Sequence, residues 1–265
     1  YNNTTKSFLT NAPSTQYANI EDYGTVAMLN IATVFKSPSG GLNPGVRYVS
    51  FKYYENGNGT PLASDSIEIV DEDLGGFNYT QQGQAFNKIL YAGVFPANLR
   101  GWSSIFNTNI NDIDYYTFQV SSYITSTAAP ASKLYTVQIN CPTLKGYEPI
   151  RLTWLNQWGA WDYYTFNMKS IKKISTKGST YEQLEGTWNE SSYKLDGFRG
   201  GKKAFRVNAT EKITMNSDFV SESESEWFEE LINSPEVYIL KGFGETVSVA
   251  LLNNYVTPVR LTTSS

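Results

Sequence analysis

The 265-residue chain contains no histidine and a single cysteine, Cys141. Without histidine, Ser/His/Asp and Cys/His catalysis and the usual zinc ligand sets are excluded, so any chemistry would fall to carboxylates, lysine or tyrosine. A lone cysteine excludes an internal disulfide. Cys141 ends an alternating run, KLYTVQINC, and reads as a half-buried structural thiol. Charged residues are only 17% of the chain and sum to −4, which argues against nucleic acid, whose phosphates call for a net basic surface. No apolar run approaches the ~20 residues of a membrane span, and no signal peptide opens the chain. No motif calls for a cofactor or a metal.

What the chain does have is strand pattern. After an Asn/Thr/Ser-rich stretch over 1–20 that reads as an extended arm, six segments alternate or are rich in β-branched and aromatic residues. They are TVAMLNIATVF (25–35), RYVSFKYYE (47–55), SDSIEIV (64–70), KILYAGVF (88–95), IDYYTFQVSSYI (113–124) and KLYTVQIN (133–140). SPSGGLNPG, ENGNGT and NTNIND supply the turns between them. Six strands without a helical period predict an immunoglobulin- or fibronectin-like β-sandwich over 21–146.

Residues 147–265 predict a second, β-rich α+β domain. A basic loop is expected over 175–203, followed by the one convincing helix, SESESEWFEELINSP. Ser221 and Glu224 have capping-box spacing, Trp227, Phe228, Leu231 and Ile232 fall on one face, and Pro235 marks the stop, giving a helix over 222–233. Residues 169–212 hold ten Lys/Arg against five acids, whereas 218–236 hold seven acids and no base. Two solvated faces that offset one another explain this. So does a basic loop of one subunit meeting the acidic helix of the next. The ends, Tyr1 and RLTTSS, suggest a segment of a longer polypeptide.

The pentapeptide DYYTF occurs at Asp114 to Phe118 and again at Asp162 to Phe166. Two carboxylates could serve a glycoside hydrolase. Alternation instead puts Asp114 on the face of Tyr116, Phe118 and Val120, and Asp162 on the face of Tyr164, Phe166 and Met168. Each Asp then opens a strand, where a carboxylate caps a turn. Near the second copy Trp154 reads as core, while Trp158 and Trp161 flank Gly159 in a turn and are candidates for an exposed contact, to a glycan or to a neighbouring subunit.

The stretch YEPIRLTWLNQWGAWDYYTFNMKSI, with the earlier ILYAGVFPANLRG and the later MNSDFVSESESEWFEELINSPEVYIL, resembles virion structural proteins of tailed phages of Bacteroidetes, including crAss-like phages. The hairpin pattern falls on Arg151, Leu152, Trp154, Leu155, Asn156, Gly159, Asp162, Thr165 and Phe166, with Trp154 where the family pattern has Phe. The resemblance implies a non-enzymatic building block of a tail, neck or appendage, located in the virion and partnered by other virion proteins and by copies of itself. The candidate joining elements are the arm 1–20, the basic stretch with Lys177, Arg199, Lys202 and Lys203, the turn with Trp158 and Trp161, and the helix face with Glu222, Glu226, Glu229 and Glu230. The alternative is a carbohydrate-binding adhesin or receptor-binding module at a cell surface.

Overall fold

The computed structural model describes residues 8–29, 46–68, 89–124, 127–130, 132–140, 146–183, 191–192, 201–217, 219–240 and 256–258. The protein is mainly β and forms two units, residues 1–167 with 217–265, and residues 168–216.

All six strands expected in the leading part are present, as β2 (Thr25–Leu29), β3 (Val46–Tyr54), β4 (Ala63–Glu68), β5 (Ile89–Gly93), β6 (Tyr115–Ile124) and β8 (Tyr135–Asn140). Two more join them, β1 (Thr15–Asn19) and β7 (Thr127–Pro130). A six-stranded sheet runs β1-β8-β6-β3-β4 with β7 on β6. Every pairing in it is antiparallel except the parallel one between β1 and β8. Strands β2 and β5 form a separate antiparallel pair.

Period-two alternation decides which side chains of the large sheet form its aromatic layer. Val49, Phe51 and Tyr53 of β3 lie directly opposite Val120, Phe118 and Tyr116 of β6, and all six are buried. Rings from Phe8 and Phe106 extend this layer, Phe8 against Phe118 and Tyr135, and Phe106 against Tyr53 and Tyr116. Val26 and Met28 of β2 and Ala92 of β5 belong to the same core. Burial and hydrogen bonding hold Phe8 in it, so the expected arm is free over none of its described length. Leu9 N–H donates to the Ala27 carbonyl at 2.9 Å, Thr136 N–H donates to the Ser14 carbonyl at 2.8 Å, and Ala18 is fully buried. The Asn/Thr/Ser-rich composition hides a strand because β1 lies at a sheet edge and buries only part of its length.

Two helices also interrupt the expected all-strand reading of the leading part, α1 (Pro96–Trp102) and α2 (Ser104–Thr108). Pro96 sits at the start of α1, where its missing N–H costs nothing. Ser103 ends α1 and caps α2, accepting from Phe106 N–H at 3.0 Å and donating to Asp65 Oδ2 at 2.6 Å. In GWSSIFNTNIND the aromatic content suggests a strand, but the serine cap and the proline upstream select helix.

Strands β9 (Ile150–Leu155), β10 (Trp161–Phe166), β13 (Val237–Leu240) and β14 (Val256–Pro258) form a third sheet in the order β10-β9-β13-β14. Helix α3 runs over Glu222–Asn233, with the bounds and capping box that the sequence predicts. Trp227 packs on Trp154 at 4.9 Å between ring centroids, and Phe228 on Tyr164 at 4.7 Å, edge to face. Leu231 is buried with Trp227, whereas Ile232, expected on the same face, is exposed. Strand β9 is buried on both faces, because Leu152 and Trp154 face one layer while Arg151 and Thr153 face the other. The chain therefore does not divide near residue 146. Strand β9 needs the leading strands to cover its second face, and it shares their unit.

The other unit is a two-stranded antiparallel hairpin, β11 (Ile171–Gln183) with β12 (Gly201–Thr214). It replaces much of the expected basic loop. Residues 175–183 and 201–203 are strand, since Ile174, Thr176, Tyr181, Phe205 and Val207 supply the β-branched and aromatic side chains that a Gly/Ser/Lys-rich reading overlooks. Arg199 and most of the connection between the strands lie outside the described residues, as does Cys141.

Candidate functional site

Two sequence signals converge on β9 and β10, the RLTWLNQWGAWDYYTF pattern and the tryptophan turn. Arg151 is only 6% exposed. Its Nη1 lies 3.2 Å from Asp22 Oδ2 and donates to Thr165 Oγ1 at 2.7 Å, while Nε donates to the Tyr23 carbonyl at 2.7 Å. Thr165 Oγ1 donates in turn to Asp22 Oδ2, which also accepts from Asn19 N–H. The guanidinium lies over Phe95 at 4.6 Å and Tyr163 at 5.3 Å from the ring centroids. Burial lowers the Arg151 pKa, and the neighbouring Asp22 carboxylate opposes that shift. Gly24 admits this arrangement, because a Cβ there would sit 2.5 Å from Phe95 Cδ2. Arg151 Nε and Nη1, Thr165 and Asp22 are held by one another and by nearby backbone, while the buried Nη2 has no hydrogen-bond partner among the described residues, and the group forms a structural clamp.

Asp162 behaves differently from its twin. Asp114 precedes β6 and accepts from Asn56 N–H at 2.7 Å, which fixes the β3–β4 turn as a turn-capping Asp should. Asp162 is the second residue of β10, 5% exposed, and accepts from Trp227 Nε1 at 2.8 Å. Burial pushes its pKa up to about 6, and hydrogen bonds from Trp227, Thr10 and Asn156 offset only part of that. The turn before β10 is capped instead by Asn156, whose Oδ1 accepts from Trp158 N–H and Ala160 N–H, both at 3.0 Å. Gly159 has φ of +77°, which suits the tight turn. The two DYYTF carboxylates thus serve different neighbours on different sheets. A cavity beside Asp162, lined also by Thr10, Trp161 and Trp227, has room for no more than about one water.

The expected contact residues separate into three settings. Trp158 stands out of its turn, 53% exposed, whereas Trp161 is half-buried and packs on Tyr238 at 5.7 Å. Glu222, Glu226 and Glu229 line the outer face of α3. Glu230, expected with them, turns inward and accepts from Asn11 Nδ2 at 2.5 Å. Lys177, Lys202 and Lys203 lie on the hairpin and are exposed.

That hairpin is the least self-sufficient part of the molecule. Its strands pair over thirteen positions, a length of about 40 Å at ~3.3 Å per residue, with nearly every described side chain exposed on both faces. Ile174 is 60% exposed, Val207 62% and Phe205 76%. Register fixes which side chains share a face. Lys173 faces Lys212, Lys177 faces Asn208, Ser179 faces Arg206 and Tyr181 faces Lys203. Near the bulge at Ser179/Thr180, Phe205 meets Tyr181 edge to face at 6.5 Å, and Arg206 Nε donates to Asn208 Oδ1, so all of these lie on one side. The opposite side carries Ile174, Val207 and Ala209, with Lys172 bound to Glu211 at 2.7 Å. Sequence reading missed Lys173, Arg206 and Lys212, although strand alternation within KKISTK and FRVNATEK would have found them.

Among the described residues, no helix is long and apolar enough to cross a membrane, and no group of three or more metal-ligating side chains is placed to hold an ion. Comparison with protein-family models, with curated proteins and with solved structures finds no match for this chain.

Proposed function

We propose that the protein is a non-enzymatic structural subunit that works by joining other chains, and that its place is the tail, neck or appendage of a tailed-phage particle. The observation that carries the assembly reading is the β11–β12 hairpin. A two-stranded ribbon solvated on both faces is marginal in water, and Ile174, Phe205 and Val207 would each gain about 1.5–3 kcal/mol on full burial. A ribbon of that length with apolar side chains outward suits insertion against a neighbouring subunit. The phage placement rests on the sequence resemblance around Arg151 to Phe166. The non-enzymatic reading is supported by the settings of the DYYTF carboxylates, since Asp114 holds a turn and Asp162 accepts from Trp227 Nε1 on a different sheet.

Within this reading the leading sheets are an immunoglobulin-like sandwich of variable type. Strands β8-β6-β3-β4 stand in the order G-F-C-C′, and β2–β5 stands as the B–E pair of the facing sheet. Tyr116, near the start of the F-like strand, donates its hydroxyl to the Val94 carbonyl at 2.7 Å, the role of the tyrosine corner in such domains.

The assembly reading is tested by light scattering of the purified chain against a variant in which residues 175–210 are replaced by a two-residue turn. The cut falls where Ser175 faces Thr210, so the remaining strands keep their register. The wild type should form a defined oligomer and the variant should be monomeric. A wild type that is monomeric at tens of micromolar refutes assembly through the hairpin. The exposed indole of Trp158 favours one other reading, glycan binding. Array binding that is lost on Trp158→Ala, with oligomeric state unchanged, would establish it.

A further inference from the structure

We infer that the hairpin's cationic face docks on the outer face of α3 in a second copy of this chain. The inference rests on the assembly reading and adds the partner and the residues.

The two hairpin faces are built differently. On one, Lys172 and Glu211 form an ion pair, and Lys202 shares its face with Glu182, so charge is offset locally. The other carries Lys173, Lys177, Lys203, Arg206 and Lys212, with no carboxylate on that face among the described residues. Lys173 stands directly across from Lys212. Like charges at opposed strand positions destabilise a hairpin. A sequence that neutralises one face and concentrates cations on the other leaves the second face suited to an anionic partner. Tyr181 and Phe205 lie among these cations and would add flat apolar area at the centre of a contact.

The chain itself supplies the complement. Glu222, Glu226 and Glu229 recur at helical spacing on the side of α3 opposite buried Trp227 and Leu231, and all three are exposed. At 1.5 Å per residue they span about 10 Å. Lys173 and Lys177 are separated by about 13 Å at strand rise. A helix laid along the ribbon therefore brings its acidic stripe over at least two cationic rows. A nucleic acid is the other polyanion to consider, but the net charge of −4 opposes it. A contact between different surfaces of identical chains is head-to-tail, and it builds rings or filaments.

Charge reversal tests this in the full chain. Lys177→Glu/Arg206→Glu/Lys212→Glu should weaken self-association at least tenfold in sedimentation velocity, and so should Glu226→Lys/Glu229→Lys, with unchanged circular dichroism and melting temperature. The chain carrying both sets should associate again, as should an equimolar mixture of the two reversed variants. Wild-type association should also fall steeply between 50 and 500 mM salt. The inference is overturned if both reversed variants assemble like wild type, or if the doubly reversed chain stays monomeric. If they assemble normally while the shortened hairpin does not, the assembly reading stands and only this partner assignment falls. Tight binding of a double-stranded DNA oligomer that is abolished by the lysine reversals, with no effect of the glutamate reversals on association, would assign the face to nucleic acid instead.

Discussion

Asp162→Asn should make the protein more stable at neutral pH. A buried carboxylate that accepts from an indole looks like a favourable interaction, but its pKa is raised from 3.8 to about 6, chiefly by burial. Between those values the folded chain holds a proton that the unfolded chain has released. The stabilisation from the neutral acid is therefore complete below about pH 4 and is lost as pH rises through about 6. At about 1.4 kcal/mol per pH unit, the whole effect is on the order of 2–3 kcal/mol. Asparagine is close in shape to the neutral acid and keeps an oxygen for Trp227 Nε1. Urea unfolding of both proteins from pH 4 to 8 gives the difference between them, in which other titrating groups cancel. The variant should lie within about 1 kcal/mol of wild type at pH 4 and gain roughly 2 kcal/mol on it by pH 7.5. Trp227→Phe removes a hydrogen bond that favours the carboxylate, so it should move the wild-type window to higher pH. A difference between Asp162→Asn and wild type that stays flat with pH would refute the reasoning, because Asp162 would then titrate as it does in the unfolded chain.

Three further outcomes follow from the same region. Arg151→Met should cost about 3–5 kcal/mol by urea unfolding, because Asp22 would be left buried without its counter-ion, and adding Asp22→Asn should recover much of that. Gly24→Ala should cost about 1–3 kcal/mol in the same assay, since Phe95 is buried under the Arg151 guanidinium and cannot give way cheaply. Ser221→Ala should cost about 1 kcal/mol and fray the first turn of α3, visible as faster amide exchange at Glu224 and Ser225.

The parts of the fold that could be read from the sequence are those where one local signal suffices. The six leading strands carry strong alternation, and α3 carries a cap, an acidic first turn and an apolar stripe, so its bounds agree with expectation. What could not be read depends on distant partners. Strand β1 has weak alternation and exists because β8 offers it a parallel edge. Helices α1 and α2 are too short for a helical period to show, and a proline and one serine set them. The supposed domain boundary fails for a similar reason. Arg151 looks like a surface residue of a strand start, and only the folded chain puts Asp22, over a hundred residues earlier, beside it.

The DYYTF repeat shows what identical residues do in different surroundings. In β6 the neighbours across the strand are aromatic, and the Asp lies just before the strand, exposed at the rim, where it holds a turn. In β10 the same Asp is the second residue of the strand, buried against Trp227 of α3, and its pKa rises. The pentapeptide encodes a strand with alternating aromatic rings, while what packs against its leading Asp sets the chemistry of that carboxylate. The same dependence on surroundings applies to the β11–β12 hairpin, whose described side chains are nearly all exposed. Its exposed isoleucine, valine and phenylalanine side chains, set in one ribbon with an unbalanced row of cations, leave that strand pair marginal by itself, which is the physical ground for proposing that a partner covers it.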